Sequence, residues 1–158
     1  MKKLQKSLLT SKLTIACAES CTGGLVAKLL TDLPGSSRVF KGGLVTYCDE
    51  MKKALLGVEE VTLEKFHAVS LQVAKEMAAG ALEKTGADLA VSTTGVAGPS
   101  GDDSGKPVGT VYIGLAVRTA EGILVSAEEY HFSGSRDAVR RKAAKEALRL
   151  LAKECTSC

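Results

Sequence analysis

The chain has 158 residues, 45% of them apolar, which is material for one core rather than two. Tryptophan is absent and aromatics make up only 4%, so the core must be built from Ala, Val, Leu and Ile, and stacking on nucleobases has little to work with. The net charge of +3 comes from 21 basic and 18 acidic residues spread along the chain, which excludes a long basic tract and argues against nucleic acid as a partner, although a few arginines can still hold a small anion.

In chain order, residues 2 to 10 read as a short helix and "LTIACA" (13 to 18) as a buried strand, because the run is short, continuous and apolar. Gly23 and Gly24 open a helical run, "LVAKLLTDL", that stops at Pro34-Gly35. A second strand, "GGLVTYC" (42 to 48), leads into "DEMKKALLG", where Asp49 can cap a helix and Gly57 can end it. A short helical turn is expected near Thr62 to Phe66, and Ser70 opens a long helix whose apolar positions 73, 74, 77, 78, 81 and 82 share one face. "ADLAVSTTG" (87 to 95) is a third buried strand, and "VAGPSGDDSGKP" is the long loop after it. Strands over 108 to 118 and 123 to 132 are joined by the hairpin-like "TAEG". The last helix runs from about Ser135 to Glu154, with Val139, Ala143, Ala147 and Leu151 along one face and a frayed tail over 153 to 158. This alternation of helices and strands predicts one α/β domain over 1 to 158, a three-layer α/β/α sandwich with a mixed sheet.

Five cysteines, at 17, 21, 48, 155 and 158, form no secreted disulfide framework. The start imitates a signal peptide, but Lys6, Ser7, Ser11 and Lys12 interrupt each candidate apolar core. No stretch approaches the ~20 apolar residues of a membrane span. A cytoplasmic protein without a membrane partner is the expectation. No His or Cys pairs complete a zinc set around the cysteines, so neither metal nor another cofactor is expected.

Ligands of open α/β sheets collect where strand ends lead into helix N-termini, which selects "AESCTGG", "TYCDEMKK", "STTGVAGPSG" and "FSGSRDAVRR". Ser20 is either a helix cap or a nucleophile backed by amides. The two histidines, His67 and His131, have no evident link to it, so a serine nucleophile needs another base. Lys52 can serve if its pKa falls, and its place in the first turn of a helix pushes that way; the alternative is a solvated helix face shared with Lys53. Tyr47 can orient the lysine. Thr93, Thr94 and Gly95 enter the glycine loop and can present donors to a ligand. Arg136 and Arg140 lie one turn apart at the start of the last helix, where two cations repel unless an anion sits between them; the alternative is a wet surface with Asp137 pairing to Arg141. Cys21 can itself be a nucleophile but lacks a visible activator, which favours a small buried hydrophobe.

Taken together, "AESCTGG", "GSSRVFKGGLVTYCDEMKKALLGV", "AVS", "TTGVAGPSG", "KPVGTVYIGLA" and "FSGSRDAVRR" resemble the CinA C-terminal domain family, found alone as nicotinamide-nucleotide amidohydrolase (PncC). The resemblance covers about residues 3 to 152. It implies hydrolysis of the carboxamide of nicotinamide mononucleotide to nicotinate mononucleotide and ammonia, by a serine–lysine pair without metal. Ser20 is then the nucleophile, Lys52 its base and Tyr47 their neighbour, with Thr94 and Arg136 or Arg140 on the nucleotide and Gly42 a candidate amide for the oxyanion. The resemblance also implies a homo-oligomer, a dimer. Cys48 stands where the family commonly has serine. The competing expectation is a non-catalytic module that senses a nucleotide or docks a competence or recombination partner; only the enzyme needs Ser20 and Lys52 within mutual reach.

Overall fold

In the computed structural model, which describes residues 7 to 157, the chain runs β1 (Ile15–Glu19), α1 (Leu25–Thr31), a 3-10 turn (Ser36–Arg38), β2 (Phe40–Val45), α2 (Asp49–Leu56), α3 (Glu60–Phe66), α4 (Leu71–Thr85), β3 (Leu89–Gly95), β4 (Thr110–Thr119), β5 (Gly122–His131) and α5 (Arg136–Ser157). The strands form one sheet in the order β2-β1-β3-β4-β5. β1 is parallel to both β2 and β3, and β4 and β5 add antiparallel ladders. The expected mixed sheet is therefore present.

Both faces of its centre are covered. Ile15 and Cys17 of β1 pack with Val26 and Leu30 of α1 and with Val139, Leu148 and Leu151 of α5. The alternate residues Ala16 and Ala18 face Leu56, Val73, Met77 and Leu82 of the α2–α4 layer. A strand with helices on both sides reads as an unbroken apolar run, which is why β1 and β3 were legible as buried. Small alanines on the second face let α4 approach closely, and at Gly80 of α4 an added Cβ would collide with the Leu56 carbonyl.

The predicted apolar face of α4 is wholly buried, and Ser70 caps that helix by accepting from the Val73 amide over 3.2 Å. The α5 stripe of Val139, Ala143, Ala147 and Leu151 is buried as well. Most element ends lie within two or three residues of expectation, and three of the differences have an evident reason or bear on the site. β2 spans Phe40–Val45 rather than 42 to 48, because the Ile15 amide already pairs with the Val39 carbonyl at 2.7 Å and the parallel ladder starts there. α2 begins at Asp49 itself, with Cys48 at the cap position and no side-chain cap bond. α5 continues to Ser157, the Thr156 hydroxyl donating back to the Lys153 carbonyl at 2.8 Å, so the expected frayed tail is helical as far as Ser157; Cys158 lies outside the described residues. Of the predicted N-terminal helix, residues 7 to 10 are helical and bring Leu8 into the α1/α5 core; its earlier part lies outside the described residues. No helix among the described residues is long and apolar enough to cross a membrane.

Candidate functional site

A cavity of about 260 Å³ opens at the carboxyl ends of β1, β2 and β3, lined by Ser20, Cys21, Tyr47, Asp49, Lys52, Ala68, Val69, Thr94, Gly95, Ala97, Asp102 and Arg136. All four selected loops contribute. Parallel strands deliver this convergence: β1, β2 and β3 run the same way, so the turns after them meet at one edge.

Ser20 is not a helix cap. Its amide donates to the Thr93 carbonyl at 2.9 Å and its carbonyl accepts from Gly23 at 3.1 Å, so its backbone is fixed to β3 and to its own turn. Among the described residues its hydroxyl has no protein hydrogen-bond partner. The first amides of α1 are taken instead by Glu19, a side chain with no exposure. Its carboxylate accepts from Gly24 (3.0 Å), Val26 (3.0 Å) and Ala27 (2.8 Å), and from the Thr22 hydroxyl (2.6 Å). Thr22 in turn shares a 2.7 Å bond with the Thr93 hydroxyl. A buried anion at a helix N-terminus satisfies the orphan amides and the dipole together. Gly23 and Gly24 have φ of 57° and 93°, the left-handed region that glycine enters without penalty; the pair therefore shapes the turn that frees Ser20 from capping.

Sequence reasoning passed over Glu19. The signal was present: an acidic residue inside a buried strand end, followed at three residues by a threonine and then by two glycines, has no solvent to face and must find donors.

Lys52 and Lys53, adjacent in sequence, have opposite fates. Lys53 is on the outside and pairs with Glu60 at 2.7 Å. Lys52 is only 1% exposed; its Nζ donates to the Thr46 carbonyl at 3.1 Å and lies 3.7 Å from Asp49 Oδ1. Burial lowers its pKa below the ordinary 10.5, the Asp49 carboxylate opposing. The cause is thus chiefly desolvation, one of the routes the sequence offered beside the helix dipole. Among the described residues no direct hydrogen bond joins Lys52 to Ser20, although both line the cavity.

Tyr47 is tied to Arg136 rather than to Lys52. Arg136 Nη2 donates to the Tyr47 hydroxyl at 2.8 Å and Nη1 to the Gly98 carbonyl at 2.7 Å. One guanidinium thereby joins the start of α5, the loop after β2 and the glycine loop after β3. Thr94 donates its hydroxyl to the Ala68 carbonyl at 2.8 Å, so toward a ligand in the cavity it can only accept.

Two residues expected at the ligand are elsewhere. Arg140 does not line the cavity; its Nε and Nη2 donate to the carbonyls of Cys21 (3.1 Å) and Thr22 (2.8 Å). The repulsion expected between the two arginines is relieved by these separate acceptors, while Asp137 pairs with Arg141 at 2.8 Å as the wet-surface reading had it. Gly42 sits inside β2 opposite Ala16 and does not line the cavity. Burial pushes the Cys21 thiol up to about 12, which makes it an inert packing group. Among the described residues no cluster of three or more His, Cys, Asp or Glu is arranged to hold a metal ion.

The sequence profile described as the CinA C-terminal domain matches residues 1–155. A CinA-like protein of Chlorobium limicola is 50% identical over 145 residues, covering 91% of this chain and 34% of that protein. The nicotinamide-nucleotide amidohydrolase PncC of Enterobacter agglomerans is 51% identical over 140 residues, covering 89% of this chain and 84% of the relative. The chain spans about a third of the length of the CinA-like relatives it matches. A crystal structure of a CinA superfamily protein from Klebsiella pneumoniae superposes with a TM-score of 0.91 at 31% identity, covering 99% of this chain and 95% of the other. The competence/damage-inducible protein of Agrobacterium tumefaciens gives 0.88 at 39% identity, over 96% and 91% of the two chains. With the profile matched over almost its whole length, this chain belongs to the CinA C-terminal domain family.

Proposed function

We propose that this chain is a nicotinamide-nucleotide amidohydrolase that converts nicotinamide mononucleotide and water to nicotinate mononucleotide and ammonia. The observation that carries the reading is the pairing in one cavity of an uncommitted serine hydroxyl with a lysine 1% exposed and lowered in pKa. A buried lysine on a cavity wall is a general base in waiting, because desolvation favours its neutral amine. The PncC name of a relative 51% identical supports the substrate.

In the reaction, neutral Lys52 accepts the Ser20 proton as Oγ attacks the carboxamide carbon. The tetrahedral oxyanion is met by amides of the Ser20 turn, Cys21 first, since it follows the nucleophile and lines the cavity. Ammonia leaves with the proton returned from Lys52, forming an acyl-serine. Lys52 then takes a proton from water, whose oxygen bonds the acyl carbon; the acyl–Oγ bond breaks, Lys52 returns its proton to Oγ, and nicotinate mononucleotide leaves with Ser20 and neutral Lys52 restored. Arg136 faces the substrate's phosphate from the cavity rim and contributes positioning. No step needs a metal or another cofactor. The chain works as one catalytic domain, in the cytoplasm, as a homodimer.

Product analysis tests this directly. Purified protein should release ammonia and nicotinate mononucleotide from nicotinamide mononucleotide, and Ser20→Ala and Lys52→Ala should abolish release while still binding the nucleotide. Turnover retained in both variants would remove the serine–lysine account. Binding without turnover in the unaltered protein would point instead to a nucleotide-sensing module.

A further inference from the structure

The turn carrying Ser20 is gripped from two sides. On the inner side the Glu19 carboxylate takes the amides of Gly24, Val26 and Ala27. On the outer side Arg140 takes the carbonyls of Cys21 and Thr22, the two residues directly after Ser20. Gly23 leaves room for this second grip: a Cβ there would come within 3.2 Å of Arg140 Nη2. Arg140 itself is anchored, because its neighbour Val139 is 1% exposed in the core between α5 and the sheet. A guanidinium fork engaging two successive carbonyls fixes the orientation of both peptide planes, which a single ammonium cannot do.

We infer that Arg140 is a positioning residue for the nucleophile, acting through the Cys21 and Thr22 carbonyls, and not a ligand of the substrate's phosphate. Both arginines bond to protein, but Arg136 does so on the cavity lining, whereas Arg140 stands outside it and directs its Nε and Nη2 at the Ser20 turn. The two arginines divide the work: Arg136 faces the ligand, and Arg140 holds the turn that aims Ser20. This inference rests on the amidohydrolase reading for its assay.

Steady-state ammonia release from nicotinamide mononucleotide separates the alternatives. Arg140→Lys should lower kcat roughly a hundredfold, the scale of a misplaced reacting group, and leave KM within about threefold. Arg140→Ala should regain part of its kcat when millimolar guanidinium chloride is added, which a general loss of packing would not allow. Arg140→Lys, which keeps the positive charge and most of the side-chain stem, carries the readout if Arg140→Ala does not fold. A rise in KM with unchanged kcat in Arg140→Lys would make Arg140 a phosphate ligand and overturn the inference. So would a lower melting temperature with both constants intact. Inactivity of the unaltered protein sinks the amidohydrolase reading; activity with the wrong kinetic pattern sinks only the role of Arg140.

Discussion

The Nζ of Lys52 donates to the main-chain carbonyl of Thr46 across 3.1 Å, from a side chain that solvent barely touches. This one bond ties the start of α2 to the loop after β2, whose Thr46 amide is held in turn by the Glu19 carbonyl at 2.9 Å. Lys52 is thus fixed to the strand end that precedes Ser20. Thr46 also has a buried hydroxyl oxygen with no partner among the described residues, so the strand end around the amine is sparsely satisfied and poorly solvates a charge.

Turnover should rise with pH. Burial holds the Lys52 pKa below 10.5, and in the proposed mechanism the neutral amine is the working form, so kcat should climb as the proton leaves and level off above an inflection that lies below that value. Asp49 stabilises the ammonium; Asp49→Asn should therefore move the inflection to lower pH. A pH–kcat profile of both proteins checks the direction, and an unmoved or raised inflection in Asn would contradict it.

Lys52→Met should end turnover without loss of stability at neutral pH. With the folded-state pKa depressed, both folded and unfolded chains are protonated below it, and there the buried charge opposes folding in full; the penalty fades as pH rises from the folded pKa toward the unfolded one. Thermal melting at pH 7 should give an equal or higher midpoint for the variant, and the difference between the two proteins should shift against the variant as pH approaches 10.

Glu19→Gln replaces an all-acceptor group by one that accepts at a single oxygen: with the amide oxygen kept on the Thr22, Gly24 and Val26 donors, the NH2 is left facing the Ala27 amide. Leaving a buried donor unmatched should cost about 1–3 kcal/mol, read by denaturant unfolding. Because the same carboxylate shapes the turn of Ser20, kcat should fall as well.

Arg136→Ala should raise KM for nicotinamide mononucleotide about tenfold, as expected for loss of a positioning contact, with a smaller change in kcat. Tyr47→Phe removes one of the two protein acceptors that orient this guanidinium and should move KM the same way by less. Kinetics with the nucleotide and with the corresponding nucleoside check the assignment, since the nucleoside lacks the phosphate and should be indifferent to Arg136→Ala.

The sequence by itself determined the layers and the loops of the site. Continuous apolar runs marked β1 and β3 as strands covered on both faces, and helical spacing marked the buried faces of α4 and α5, because side-chain periodicity is a local consequence of backbone geometry. The strand-to-helix junctions marked where Ser20, Lys52, Thr94 and Arg136 would meet. Only the tertiary structure decided which of two adjacent lysines is buried, which of two arginines faces the cavity, and that Glu19 rather than Ser20 satisfies the amides of α1. The start of β2 was not legible because parallel register is set by the partner strand, not by the local pattern. Neighbours in a helix differ by ~100° in direction, and a carboxylate or guanidinium finds its partners through space, so these choices belong to packing between elements far apart in the chain.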